Sequence, residues 1–131
     1  MSANKPIAPV FHPFTAIQGL PFSEAVEVGE LLFLAGQIGT DANGKLAEGG
    51  IGAETRHALA NIQGVLQRHG SGMDRVVKMT VMLADMAEWP AMNDEYRKFF
   101  GKDFPARSAF GCNGLAMKAR VEIECVAVKG S

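Results

Sequence analysis

Arg107 and Glu122 have the residue types, and the placement, to act on a small organic anion. Both fall in the last strand-rich stretch, residues 105–130, PARSAFGCNGLAMKARVEIECVAVKG. Two apolar alternating runs flank a glycine-containing connection there, which predicts a β-hairpin. Strand pairing would bring the guanidinium of one strand beside the carboxylate of the next. A guanidinium clamps a carboxylate with two parallel hydrogen bonds. A neighbouring carboxylate can take a proton from water. That is the minimum equipment of a hydrolase for anionic substrates, and it competes with the plainer reading of a cross-strand surface ion pair.

The elements that must position this pair are legible along the chain. Residues 1–20 carry three prolines and little periodicity, and read as an extended N-terminal arm ahead of a single domain over 21–131. Runs 22–28 and 31–38 flank Gly29-Glu30, a two-residue turn signal. A short edge strand is expected near 45–47. Residues 53–69 place Thr55, Leu59, Ile62 and Leu66 on one helical face, and Gly70 ends the pattern. Residues 75–84 read as a strand. A second helix follows Asp85, its possible cap, with Trp89, Met92, Tyr96 and Phe99 or Phe100 on one stripe. That stripe and the seven methionines are expected to fill core. Residues 104–113 and 119–128 complete the strands. The order ββ(β)αβαββ argues for an α+β fold, a mixed sheet with two helices on one face.

Counting faces leads further. Leu31-Leu32-Phe33-Leu34 is apolar on both sides of its strand, and the run from Val76 to Leu83 nearly so. A sheet with one wet face alternates more cleanly. Two helices cover one face only, so the other is expected to pack on a second subunit, in preference to the alternative that a long loop or the N-terminal arm covers it. Lys78, Thr80, Gln37 and Glu122 would then line a cleft between subunits.

Bulk properties exclude several classes. The 131 residues suit one domain with its own core. A net charge of −1 gives no broad drive toward nucleic acid or anionic lipid. No apolar run reaches the roughly 20 residues that span a bilayer, and the N-terminus lacks a signal-type apolar core, so a cytoplasmic location is expected. Cys112 and Cys125 form no CxxC and read as reduced thiols. His12, His57 and His69 have no thiol or carboxylate at ligand spacing, and surface roles are expected rather than a metal site.

The ordered segments LLFLAGQIG, ETRHALANIQGVL, VVKMTVML, MNDEYRKFF, FPARSA and ARVEIECVAV resemble the YjgF/RidA family of reactive-intermediate deaminases over residues 20–129. The P-A-R-S and V-E-I-E blocks carry most of the likeness. The resemblance implies a chorismate-mutase-like α+β fold, a homotrimer with clefts between subunits, and hydrolysis of 2-imino acids or their enamines to 2-oxo acids and ammonia, with no cofactor. It assigns Arg107 to the substrate carboxylate and Glu122 to the attacking water. Ala109 stands where the family often has cysteine and offers backbone contacts. Phe22 replaces a common tyrosine, and Ala35 a common serine. Gly36, Gln37 and Asn93 match the family pattern. The three replacements all remove polar side-chain groups.

Two rival functions stay open on the sequence. The cleft could bind small carboxylates as a sensor without turnover, which the polar losses at Phe22, Ala35 and Ala109 favour. Ribonuclease activity, attributed to some relatives, has little support here: there is no basic stripe with interleaved aromatics and no His–His acid–base pair.

Overall fold

Side-chain alternation and helical periodicity place the secondary structure close to expectation, while the strand order differs from it. The computed structural model describes residues 7–130. The strands are β1 (Val10–His12), β2 (Ala25–Val28), β3 (Leu31–Ile38), β4 (Val76–Leu83), β5 (Ala106–Gly111) and β6 (Val121–Val128). The helices are α1 (Ile51–Arg68) and α2 (Trp89–Tyr96). Six strands form one mixed sheet in the order β1-β2-β3-β6-β4-β5. The fold is α+β, with both helices on one face.

Residues 1–6 of the expected arm lie outside the described residues. Within 7–20, β1 adds an edge strand by pairing Val10, Phe11 and His12 with Glu27, Val26 and Ala25. Gly29 adopts φ 57° in the turn between β2 and β3, a conformation glycine takes without Cβ strain. The edge strand expected near 45–47 reduces to one bridge, Thr40 to Leu46. Asp85 caps a short 3₁₀ turn before α2, accepting from the Ala87 N–H at 2.9 Å, rather than α2 itself.

The hairpin expectation is overturned. β5 pairs with β4 in parallel, and β6 lies antiparallel between β3 and β4. β4, α2 and β5 make a βαβ unit, in which a crossover helix returns the chain parallel to the strand it left. The connection after β5 then carries the chain past β4 before β6 enters the sheet. Arg107 and Glu122 are therefore two strands apart.

The core lies between the sheet and α1. Val121, Ile123, Cys125 and Ala127 of β6 face Ala58, Leu59, Ile62, Val65 and Leu66 of α1 within one buried cluster. Leu59, Ile62 and Leu66 are fully buried. Each contributes about 1.5–3 kcal/mol of apolar transfer. Two polar contacts fix α1 against the sheet. Asn61 Nδ2 donates to the carbonyls of Ile38 and Thr40, each at 3.1 Å. The buried Glu54 carboxylate accepts the Arg120 backbone N–H at 2.8 Å, just before β6. The opposite face leaves large apolar groups in solvent: Leu31 and Phe33 on β3 and Phe110 on β5. Cys112 and Cys125 are free thiols.

Candidate active site

Register decides what each residue of β5 and β6 faces. Arg107 stands beside Met79, and Met79 beside Cys125, so Arg107 points to the helix side of the sheet. Glu122 stands beside Met82 on the opposite face, the one the helices leave open. Two strand spacings and three residues of rise separate their Cα atoms by about 14 Å. Within one chain they do not meet.

Arg107 sits at the open edge of β5 under α2. Its Nη1 donates to Asn93 Oδ1 at 2.7 Å. Its guanidinium carbon lies 4.6 Å from the Tyr96 ring centroid and 5.7 Å from that of Trp89. The helical spacing of Trp89, Asn93 and Tyr96 puts all three over one edge strand. Arg107 makes no ion pair among the described residues. It lines a cavity of about 270 Å³ together with Asn93, Tyr96, Arg97, Phe104 and Pro105. The Tyr96 hydroxyl is buried with no hydrogen-bond partner among the described residues. Burial pushes the Tyr96 pKa up to about 12 against the opposing pull of Arg107, so the phenol stays a neutral donor at physiological pH. A cationic fork with free N–H groups, an aromatic bed and a spare hydroxyl can hold a planar carboxylate. Ala109 shares the Arg107 face, two residues along β5 and half-buried.

Glu122 forms the second group. Its Oε2 lies so near Gly36 that a Cβ there would stand 2.1 Å from it, which explains a glycine at that position. Burial, then the charge of Glu124, raises the Glu122 pKa above the ordinary glutamate value. A carboxylate of raised pKa is a better proton acceptor near neutrality. A β-bulge between Leu34 and Gln37 separates the neighbours of Gly36: Gln37 stands opposite Ile123, not Glu122. Ala35 is half-buried, its backbone N–H donating to the Glu24 carbonyl at 3.0 Å. Phe22 stands half-exposed in the loop before β2, edge-on to Phe14 at 5.5 Å, on a separate cavity of about 310 Å³. Lys78 Nζ donates to Ser108 Oγ at 3.1 Å.

The predicted residues thus divide on one chain: Arg107, Asn93 and Ala109 lie on the helix side, Glu122 and Gly36 on the open side, and Phe22 and Gln37 join neither group. Tyr96 and Trp89 were read in sequence as core alone. Their spacing from Asn93 was the available signal. The fold also overturns the expectation of isolated histidines. His12 and His69 have ring centroids 4.3 Å apart, and His12 Nε2 lies 2.8 Å from Glu27 Oε1.

The family model described as endoribonuclease L-PSP matches residues 15–129. A goat (Capra hircus) protein named 2-iminobutanoate/2-iminopropanoate deaminase is 43% identical over 111 residues, 84% of this chain and 81% of that protein. The crystal structure of a protein of the conserved Rid family from Yersinia pestis superposes with a TM-score of 0.84 at 33% identity, covering 92% of this chain and 99% of that one. That of Escherichia coli TdcF with bound serine gives 0.80 at 25% identity, covering 91% and 94%. No helix is long and apolar enough to cross a membrane among the described residues. With sequence blocks, overall fold and relatives in agreement, the chain belongs to the YjgF/RidA family.

Proposed function

We propose that this protein hydrolyses 2-imino acids and their enamine tautomers to 2-oxo acids and ammonia, at sites that two copies of the chain build together in a homotrimer. The carrying observation is Arg107: an unpaired guanidinium, bedded on Tyr96 and held by Asn93, facing a cavity large enough for a small carboxylate. The name of the goat relative and the serine bound to TdcF support a small amino-acid-derived ligand.

Two observations support a second copy. Arg107 and Glu122 occupy opposite faces of one sheet, so a hydrolytic site that uses both must draw them from different chains. The face bearing Glu122 exposes Leu31, Phe33 and Phe110, apolar surface that another subunit would cover.

The chemistry follows from the groups. The imine carbon is already electrophilic, so no covalent nucleophile is needed, and Ala109 in place of a thiol leaves the reaction intact. Arg107 grips the carboxylate in bidentate fashion, with Asn93 holding the guanidinium in plane. Glu122 takes a proton from water as the oxygen bonds to the carbon of the protonated imine, whose C=N π electrons move to nitrogen and leave a neutral amine there. The carbinolamine then loses its C–N bond. The proton on Glu122 goes to the departing nitrogen, ammonia leaves with the C–N electron pair, and the hydroxyl gives its proton back to the freed Glu122 carboxylate as it becomes the 2-oxo group.

The test couples the protein to a PLP-dependent threonine dehydratase and follows 2-oxobutanoate formation above the uncatalysed rate. Acceleration, together with a solution mass near three times 14.0 kDa, is expected. Binding of 2-oxobutanoate with no acceleration would make the protein a carboxylate sensor instead.

A further inference from the structure

We propose that His12, Glu27 and His69 form a site for a divalent transition-metal ion of the zinc type. The three come from β1, β2 and the C-terminal end of α1, positions 15 and 42 residues apart in sequence. One ring nitrogen of each histidine and one carboxylate oxygen of Glu27 lie within 4.8 Å of one another, and all three side chains are partly buried. Imidazole and carboxylate are the donors zinc, cobalt and nickel take. Ligand atoms around a tetrahedral zinc with bonds of about 2.0–2.1 Å lie about 3.3 Å apart. His12 Nε2 and Glu27 Oε1 are hydrogen-bonded at 2.8 Å, so a metal that displaces the shared proton need part them by only about half an ångström. The His69 ring nitrogen, within 4.8 Å of both, moves inward on binding to close the set.

The surroundings are those of a held ligand. Glu24 is 7% exposed and receives His69 Nε2 at 3.0 Å through Oε2, while Arg68 fixes its other oxygen at 2.6 Å. A buried carboxylate on the far nitrogen of a histidine sets the tautomer and leaves Nδ1 for a metal. Lys129 Nζ holds Glu27 Oε2 at 2.7 Å, which orients the carboxylate and leaves Oε1 to the ion. That ammonium also opposes a cation, so affinity is tuned downward. Three protein ligands leave a fourth position for water.

The full untagged chain is titrated calorimetrically with zinc chloride, and with cobalt(II) to read its ligand-field bands. One ion per chain and the intense visible bands of a four-coordinate site are expected. Thermal unfolding of the wild type shifts upward with zinc. His12→Gln, Glu27→Gln and His69→Gln each weaken binding at least tenfold, Lys129→Met strengthens it, and His57→Gln leaves it unchanged. Failure of the wild type to bind one ion per chain overturns the proposal, and so does equal affinity in the triad variants. The three side chains then serve only as a tie between β1, β2 and the end of α1. The cobalt spectrum of the wild type decides even if a variant fails to fold.

Discussion

Replacing Arg107 by lysine keeps the charge and removes the fork. In the wild type one arm of the guanidinium is spent on Asn93 at 2.7 Å, and its face rests 4.6 Å from the Tyr96 ring. The remaining N–H groups are free for a ligand carboxylate. An ammonium cannot hold Asn93 and both carboxylate oxygens in one plane, so one charge-assisted hydrogen bond to substrate is lost. Such a bond is worth about 1.5–3 kcal/mol. At tenfold per 1.4 kcal/mol, kcat/KM falls by about 10- to 150-fold. Arg107→Ala loses both bonds and falls by about 10²- to 10⁴-fold. Stability changes little, because Arg107 has no acidic partner among the described residues and its stacking on aromatics is worth about 1 kcal/mol. The dehydratase-coupled assay gives the rates, corrected for spontaneous imine hydrolysis, and urea unfolding gives the stability. Wild-type kcat/KM in Arg107→Lys would refute bidentate recognition. Wild-type kcat/KM in Arg107→Ala would remove the residue from the site altogether.

Glu122→Gln keeps 2-oxobutanoate binding, measured by calorimetry, and lowers kcat by about 10²- to 10⁴-fold. Glu122 accepts a proton only when ionised, and burial raises its pKa, so activity is present above that raised value and falls as pH drops through it. The acidic limb of kcat/KM therefore starts above the ordinary glutamate range of about 4.3, and a limb at or below that range would contradict the assignment. Gly36→Ala and Gly39→Ala separate site from scaffold. The first drives a Cβ onto the movable Glu122 carboxylate, while the second drives one to 2.3 Å from the Glu54 backbone oxygen. Urea unfolding should show a loss of about 1–3 kcal/mol or more for Gly39→Ala and a smaller one for Gly36→Ala, whose main loss is in kcat; the reverse order would show that Glu122 cannot yield.

Much of the fold was legible because local pattern and global burial agree. The alternation Val121, Ile123, Cys125, Ala127 marked the core face of β6, and the face of α1 bearing Leu59, Ile62 and Leu66 is the buried one. Strand order was not legible in the same way. Residues 105–130 look like a hairpin because the two runs are neighbours in sequence, yet α2 returns β5 parallel to β4, and β6 crosses over to the gap beside β3. The strand–helix–strand pattern over residues 76–111 held that information, since such a unit pairs in parallel. The misjudged pairing hid that Arg107 and Glu122 face opposite ways. It left untouched the separate inference, from the two-sided apolar character of the Leu31–Ile38 strand, that another subunit covers the open face. His12 and His69 show the limit of spacing arguments: 57 residues apart, they meet only because β1 lies at the sheet edge beside the end of α1.

Mixing two inactive variants addresses the shared site most directly. Arg107→Ala and Glu122→Gln chains are unfolded together, refolded in equal amounts, and assayed for imine hydrolysis. Each site that takes its arginine from one copy and its glutamate from the next is restored when the two intact residues meet. Random assembly does this at about a quarter of sites, so about a quarter of wild-type activity should return. Co-assembled chains that stay as inactive as the separate variants would contradict a site built from two copies.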